Sequence, residues 1–253
     1  MKSFIAKMAC LFAIASLTNA ACAQHNTASP EADVFTTPGG NSVTFHPLIH
    51  ASLRISFNGC ELQIDPVSKL GDRAVDFYSM PKADFILVTH EHFDHCDSTA
   101  IASLSADRTK LITNARCASI LGNGEIMANG DRMRLNRAIS VEAVPAYNTT
   151  PEHLQFHPKG RDNGFILNID GLRIYIAGDT EDIPEMAGLG HIDVAFLPCN
   201  QPYTMTVNQL LRAARMVKPT VLIPYHYGTT DINSVPDALA PSGIEVRLHE
   251  CLR

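Results

Sequence analysis

Between Asp84 and Cys96 the chain reads Asp-Phe-Ile-Leu-Val-Thr-His-Glu-His-Phe-Asp-His-Cys, which brings His90, His92, Asp94 and His95 within six positions. Imidazole nitrogens and a carboxylate oxygen, with no thiolate among them, form a donor set for zinc, manganese or iron. Two imidazoles two apart, then a carboxylate and a third imidazole, suit two adjacent ions better than one. The competing reading is a polar turn that happens to be rich in histidine. The preceding residues argue against it: Phe85–Val88 has the length and branching of a buried strand, so the loop that follows is held by the sheet and its side chains can be aimed. Two later residues are placed in the same way. Asp179 follows the apolar run Leu172–Ala177, and His226 follows Val221–Ile223.

The elements that must position these groups are legible in the pattern. Val43–Leu48 and Ser52–Phe57 alternate as strands, and Asn58-Gly59 turns the second into Glu61–Ile64. Asp170-Gly171 joins Phe165–Ile169 to Leu172–Ala177 in the same way. Lys110–Thr113, Ile139–Val144, Val194–Leu197 and Ile244–Leu248 are further strands. Hairpins followed by buried parallel strands predict mixed sheets. Ser98–Leu104, capped by Ser98, is a short helix. Thr206–Val217 is the clearest one, with Thr206 and Gln209 at capping-box spacing and Lys218-Pro219 as its stop. Thr149–Asn163, with two prolines and a glycine, reads as a loop over something functional. The two halves are of similar size, and no sequence repeat relates them.

The 253 residues are 45% hydrophobic and 18% charged, an ordinary globular composition with material for a sizeable core. Residues 1–23 have the marks of an export signal: Lys2 and Lys7, a short apolar core Cys10–Leu17, and Ala21-Cys22-Ala23 as a cleavage site. The rival reading is a lipid anchor on Cys22. Residues 24–41 read as a flexible tether, and 42–253 as one folded domain. The expected place is the periplasm or the extracellular space. Removal of the signal leaves 18 basic against 26 acidic residues, a net charge of −8. That balance is a poor match for nucleic acid, so a small-molecule substrate is the expected partner, with no membrane contact unless Cys22 is lipidated. The five cysteines beyond residue 23 show no CxxC pair, which speaks against a disulfide framework.

His90-Glu91-His92-Phe93-Asp94-His95 matches the HxHxDH signature of the metallo-β-lactamase fold. Gly178-Asp179-Thr180 resembles its later aspartate motif, and Tyr225-His226-Tyr227-Gly228 its final histidine, in the expected order. Ile49-His50-Ala51-Ser52 and Tyr203-Thr204-Met205-Thr206 are similar to the branch of ascorbate-phosphate lactonases and uncharacterised metal-dependent hydrolases. The resemblance implies an α/β fold, a four-layer αβ/βα sandwich of two mixed sheets packed face to face with helices outside. It implies two divalent metal ions, zinc foremost and manganese or iron as alternatives. His90 and His92 would hold one, Asp94, His95 and His226 the other, with Asp179 between them and Asp94 also moving protons.

One position departs from the family. After the strand ending near Ala146 a further metal-binding histidine is customary, and the chain instead reads Tyr147-Asn148. His157 is the favoured replacement, His153 the second candidate, and Asn148 offers only a weaker carbonyl oxygen; with none of them a single-metal site follows. His50 resembles a family position near the site. His46, His191 and His249 are read as structural, Cys96 as an inert thiol, Cys199 as a possible pocket residue, and Asp65 as a support for the metal loop. Lys159 and Arg161 read as a solvated basic loop, with attraction of an anionic substrate as the alternative. The leading function is exported hydrolysis by metal-activated hydroxide of a small ester, lactone, amide or phosphoester. The alternatives are a non-catalytic, degenerate metal-binding module and a diiron oxidoreductase on the same fold, whose branch carries a glutamate where His92 stands.

Overall fold

The structure, a computed structural model, describes residues 32–253; the expected export signal and the first part of the tether lie outside the described residues. Two seven-stranded sheets carry the fold. The first contains β1 (Asp33–Thr36), β2 (Ser42–Ile49), β3 (Ser52–Phe57) and β4 (Cys60–Ile64). A separate small hairpin, β5 (Lys69–Leu70) with β6 (Arg73–Ala74), precedes β7 (Phe85–Leu87), β8 (Lys110–Thr113) and β9 (Glu125–Ile126), which complete that sheet. The second contains β10 (Arg132–Arg134), β11 (Ile139–Ala146), β12 (Asp162–Ile169), β13 (Leu172–Ile176), β14 (Val194–Pro198), β15 (Val221–Tyr225) and β16 (Glu245–Val246). In each sheet the strands lie in chain order, the first four antiparallel and the rest parallel. Helices α1 (Ser98–Leu104) and α2 (Ala115–Leu121) link β7, β8 and β9; α3 (Val207–Val217) and α4 (Val235–Leu239) link β14, β15 and β16. The halves therefore repeat one order of elements, which their residue sequences do not disclose.

Alternation along β7 shows how the layers form. Phe85 and Leu87 face the core between the sheets, while Ile86 and Val88 face outward against Ala100, Ile101 and Leu104 of α1 and Cys117 of α2. A parallel strand covered on both faces has no polar side, hence its unbroken apolar run. Across the interior, Phe45 of β2 meets Phe196 of β14 with ring centroids 5.7 Å apart. Burying a side chain of that size contributes about 1.5–3 kcal/mol. α3 lays Leu210, Ala213, Ala214 and Val217 on the second sheet, one stripe at helical spacing, behind the capping box of Thr206 and Gln209.

Four expectations need correction. The tether ends earlier than residue 41, because Asp33–Thr36 pairs with Ser42–Phe45 and Phe35 packs edge-on against Phe45 at 5.3 Å. A strand at the sheet's edge keeps one side in solvent, so its polar composition imitates a linker. Helix α1 is capped by Asp97, whose carboxylate accepts from Thr99 and Ala100 N–H, leaving Ser98 inside the helix. Strand β12 begins at Asp162 rather than Phe165, since its polar start pairs with Ala146 and Pro145 at the buried end of β11. The last strand covers only Glu245–Val246. The five cysteines of the described residues are free thiols.

Candidate metal centre

Strands β4 and β7 are parallel neighbours that end side by side. Asp65 follows β4 and Thr89-His90 follow β7. The Thr89 N–H and hydroxyl donate to the two oxygens of the Asp65 carboxylate, each at 2.7 Å, and His95 Nδ1 stands 2.8 Å from Asp65 Oδ2. The Thr89 hydroxyl is also 3.0 Å from His90 Nδ1. Asp65 is fully buried, so a single carboxylate orients both His90 and His95. The turn between them is fixed by His95 and Cys96 N–H, both donating to His92 C=O.

Three other strand ends arrive from the rest of the sandwich. His50 follows β2, His226 follows β15, and Asp179 stands just beyond β13. His226 N–H donates to His50 C=O at 3.3 Å, joining the two sheets at the site. His50, Asp65 and His226 all lie in the left-handed backbone region, with φ of 58°, 42° and 48°. Residues other than glycine are rarely held there, at a cost of about 1–3 kcal/mol each, and such residues cluster where function fixes the backbone. Before Asp179, Gly178 has φ of 65°, and a Cβ there would stand 2.6 Å from the carbonyl oxygen of Asn163. Only glycine permits that approach.

The loop after β11 brings in His157. Its Nδ1 is 3.0 Å from Asp162 Oδ2, which Arg161 also grips, and its Nε2 is turned to Asp179 Oδ2 at 3.4 Å. Asn148, at the customary histidine position, acts as a clamp: its N–H donates to His157 C=O and its amide to the carbonyls of His153 and Tyr203. Glu181 holds the start of the loop, one oxygen accepting from the N–H and hydroxyl of both Thr149 and Thr150 at 2.7–2.9 Å. Its carboxyl lies below the usual range because these donors outweigh its burial. His153 stands 3.2 Å from Glu181, outside the centre.

The result is two adjoining groups of donor atoms: His90, His92, His157 and Asp179 in one, and His50, Asp94, His95 and His226 in the other, the atoms of each group within 4.8 Å of one another. Every residue expected to ligate is thus placed in one of the two groups, Asp179 on the border. Its Oδ1 is 3.3 Å from His95 Nε2, and its Oδ2 3.2 Å from His226 Nε2. The sequence places His50 only near the site; its position one residue beyond a buried strand, like that of His226, is the available signal. Asp162 and Glu181 had none beyond their closeness in sequence to His157 and Asp179. His249 and His191 are paired with Asp33 and Asp193, and Cys199 is buried away from the opening.

Buried groups this crowded reshape one another's protonation. Burial and the neighbouring His95 push His90 far below its ordinary range, and burial with His226 pushes His50 down to about 4. Burial opposes protonation of His226 and His95 too, but the Asp179 carboxylate overcomes it, lifting His226 to about 9 and His95 well up. Asp179 itself is held well below the carboxylate range, its burial outweighed by His226 and His95. Asp94 is likewise low, its burial outweighed by the neighbouring imidazoles of His226 and His50.

The donor set fits metal ions. His95 Nε2, His157 Nε2, His226 Nε2 and Asp179 Oδ1 are buried without a hydrogen-bond partner, although they face one another. Unpaired buried polar atoms are costly, and converging ones are what a cation satisfies. Two donors each ~2.0–2.1 Å from a tetrahedral zinc stand about 3.3 Å apart, which matches the 3.2–3.4 Å between Asp179 and the imidazoles of His226, His95 and His157.

Known proteins with similar sequences and folds are described as metal-dependent hydrolases. Residues 24–226 match the family described as Beta-lactamase superfamily domain. The chain is 34% identical over 157 residues to a UPF0173 metal-dependent hydrolase of Archaeoglobus fulgidus, covering 58% of this chain and 68% of that protein. Against one of Salinibacter ruber it is 29% identical over 213 residues, covering 79% and 93%. The crystal structure of a Parabacteroides distasonis protein, provisionally assigned as a metal-dependent hydrolase, is 50% identical with a TM-score of 0.84, covering 87% of this chain and 99% of that one. A metallo hydrolase from Ignicoccus hospitalis is 25% identical with a TM-score of 0.70, covering 83% and 96%.

Proposed function

From a chain that belongs to the Beta-lactamase superfamily domain family, and is a metal-dependent hydrolase of it, we propose a dinuclear centre that hydrolyses a small ester, lactone, amide or phosphoester. One observation carries the reading: two complete four-membered donor groups meet at Asp179 beside an open cleft. His90, His92 and His157 would hold one ion, His50, Asp94, His95 and His226 the other, with Asp179 serving both. Zinc suits this nitrogen-rich set best, and manganese or iron are the alternatives. Bound there, two divalent ions lower the pKa of a shared water toward about 7 and polarise the oxygen under attack.

The chain's own groups handle the protons. Asp94 is the more exposed of the two acidic residues that line the cleft, its side chain one-fifth exposed. Its Oδ2 is 3.2 Å from His50 Nε2 and 3.7 Å from His226 Nε2. Its place at the open side of the centre puts it where it can accept a proton from the attacking water and return it to the leaving oxygen. His50, one residue beyond β2, fixes which way that carboxylate points. Export is part of the proposal, supported by Lys2, Lys7 and the apolar core ahead of Ala23. Cell fractionation with sequencing of the mature N-terminus tests it, and a cytoplasmic chain starting at Met1 refutes it.

The test of the reading is metal content with activity. Chelator-treated protein should lose hydrolysis of simple esters and regain it with zinc or manganese at two ions per chain. Asp94→Ala should lower kcat by about 10²-fold or more. Undiminished activity in protein shown to be metal-free would overturn the reading, as would inactivity at saturating zinc and manganese.

A further inference from the structure

The open side of the centre is a cleft of about 300 Å³, the scale of a small-molecule site. Its walls away from the metal-binding groups are Phe93, Phe156 and Tyr203. They come from three different segments: the HxHxDH loop, the loop carrying His157, and the loop after β14. Phe156 and Tyr203 pack edge to face at 5.0 Å and form one wall. Phe93 is 78% exposed and Tyr203 45% exposed, so large apolar side chains stand in water beside the reactive centre. Exposed aromatic groups gathered around a cleft mark a place where an apolar ligand is bound.

The charges point the same way. No lysine or arginine among the described residues lines this cleft. Lys159 is drawn off to Glu185 at 2.9 Å and lies over the Tyr147 ring. Arg161 is spent on Asp162, on the Phe156 carbonyl and on Glu91. The basic charges of this loop are therefore paired and leave no anion attractor at the cleft. A phosphate or carboxylate away from the scissile bond would meet aromatic rings and the Asp94 carboxylate, with no fork of donors to receive it.

We propose that the substrate is an uncharged ester, lactone or amide whose apolar group, of phenyl or short-alkyl size, packs against Phe93, Phe156 and Tyr203. This rests on the hydrolase reading. In turnover the acyl C–O or C–N bond breaks, the water oxygen bonds to the acyl carbon, and the water's protons end on the acid and the released alcohol or amine.

Three methyl esters share one scissile bond and one leaving group: methyl acetate, methyl phenylacetate and methyl phosphoglycolate. With zinc-loaded enzyme, and each kcat/KM divided by that ester's rate with free hydroxide, the phenyl ester should exceed the acetate by roughly tenfold or more. The phosphoglycolate should be no better than the acetate. Tyr203→Ala and Phe156→Ala should each shrink the phenyl-to-acetate ratio while zinc content stays at the parent's, which separates a lost wall from a disturbed ligand. A preference for the phosphorylated ester, or no phenyl advantage, overturns the proposal. Binding of the matching ketones, butanone and 1-phenylbutan-2-one, followed by ligand-observed NMR, separates it from the hydrolase reading. If no ester is turned over and the phenyl ketone still binds roughly tenfold more tightly, catalysis is refuted while the apolar site stands. Equal binding of the two ketones refutes the site whatever the turnover.

Discussion

Asp65→Asn changes one fully buried atom and tests how the centre is held. The carboxylate accepts three hydrogen bonds, from Thr89 N–H on one oxygen and from the Thr89 hydroxyl and His95 Nδ1 on the other. An amide has one oxygen and cannot accept all three. With its nitrogen on the Oδ2 side, His95 must shift its proton to Nε2, the atom facing Asp179 Oδ1. With its nitrogen on the Oδ1 side, the buried Thr89 N–H loses its acceptor and the end of β7, which carries His90, is released. Either way a hydrogen bond to a charged group is lost, about 1.5–3 kcal/mol. That corresponds to the 10–100-fold fall in metal affinity typical when a residue behind a ligand is changed. Competition titration of zinc against a chelator should show this weakening, with the variant still folded by circular dichroism. A folded variant that binds two ions as tightly as the parent would refute the reasoning.

Three other outcomes follow from the same contacts. Gly178→Ala places a methyl 2.6 Å from the Asn163 carbonyl at φ 65°; the resulting loss of about 2 kcal/mol or more should appear in chemical denaturation, and an unchanged midpoint would contradict it. Glu181→Gln removes the charge that gathers four donors from Thr149 and Thr150. Limited proteolysis should then cut faster between residues 149 and 161 and stability should drop by about 1–3 kcal/mol, whereas parental cleavage rates would show that the clamp is idle. Asp33→Asn tests the strand that replaced the expected tether. Bonds from His249 and Arg247 outweigh burial and hold the Asp33 carboxyl below its ordinary 3.8. Because the folded pKa is the lower one, the stability it supplies is whole above about 3.8 and fades as pH falls through the folded value. The difference between parent and variant should therefore be largest near neutrality and vanish in acid, and a difference that grows in acid would reverse the assignment.

Much of the fold was readable because buried parallel strands and glycine turns announce themselves locally. Phe85–Leu87 and Val221–Tyr225 are unbroken apolar runs, and Asn58-Gly59 and Asp170-Gly171 sit at hairpin turns with positive φ. Edge strands are not so marked: Asp33–Thr36 keeps a solvated side and reads as part of a polar tether, and Arg132–Arg134 shows no strand pattern. The centre divides along the same line. His90, Asp179 and His226 follow strands and could be placed by register, and His157 could be named but not positioned. What brings it in is a set of contacts from Asn148, Asp162 and Glu181, which carry no local signature. His50 shows the limit from the other side. Its strand was clear, yet only the pairing of His226 N–H with His50 C=O across the sandwich reveals what it faces.

Phe156 and His157 are consecutive, one a wall of the cleft and the other a donor of the centre. A shift of either is carried to the other through their shared backbone, so we expect occupancy of the ion and occupancy of the cleft to be thermodynamically linked. An ion that fixes His157 preassembles the wall for the ligand. By reciprocity, an apolar ligand lodged against Phe156 should tighten the ion by the same factor. In surroundings poor in metal, such a chain would keep its ion best while its substrate is present and surrender it when the substrate is gone. Zinc affinity measured with and without 1-phenylbutan-2-one reads that linkage directly, and identical values would show that the two neighbours act alone.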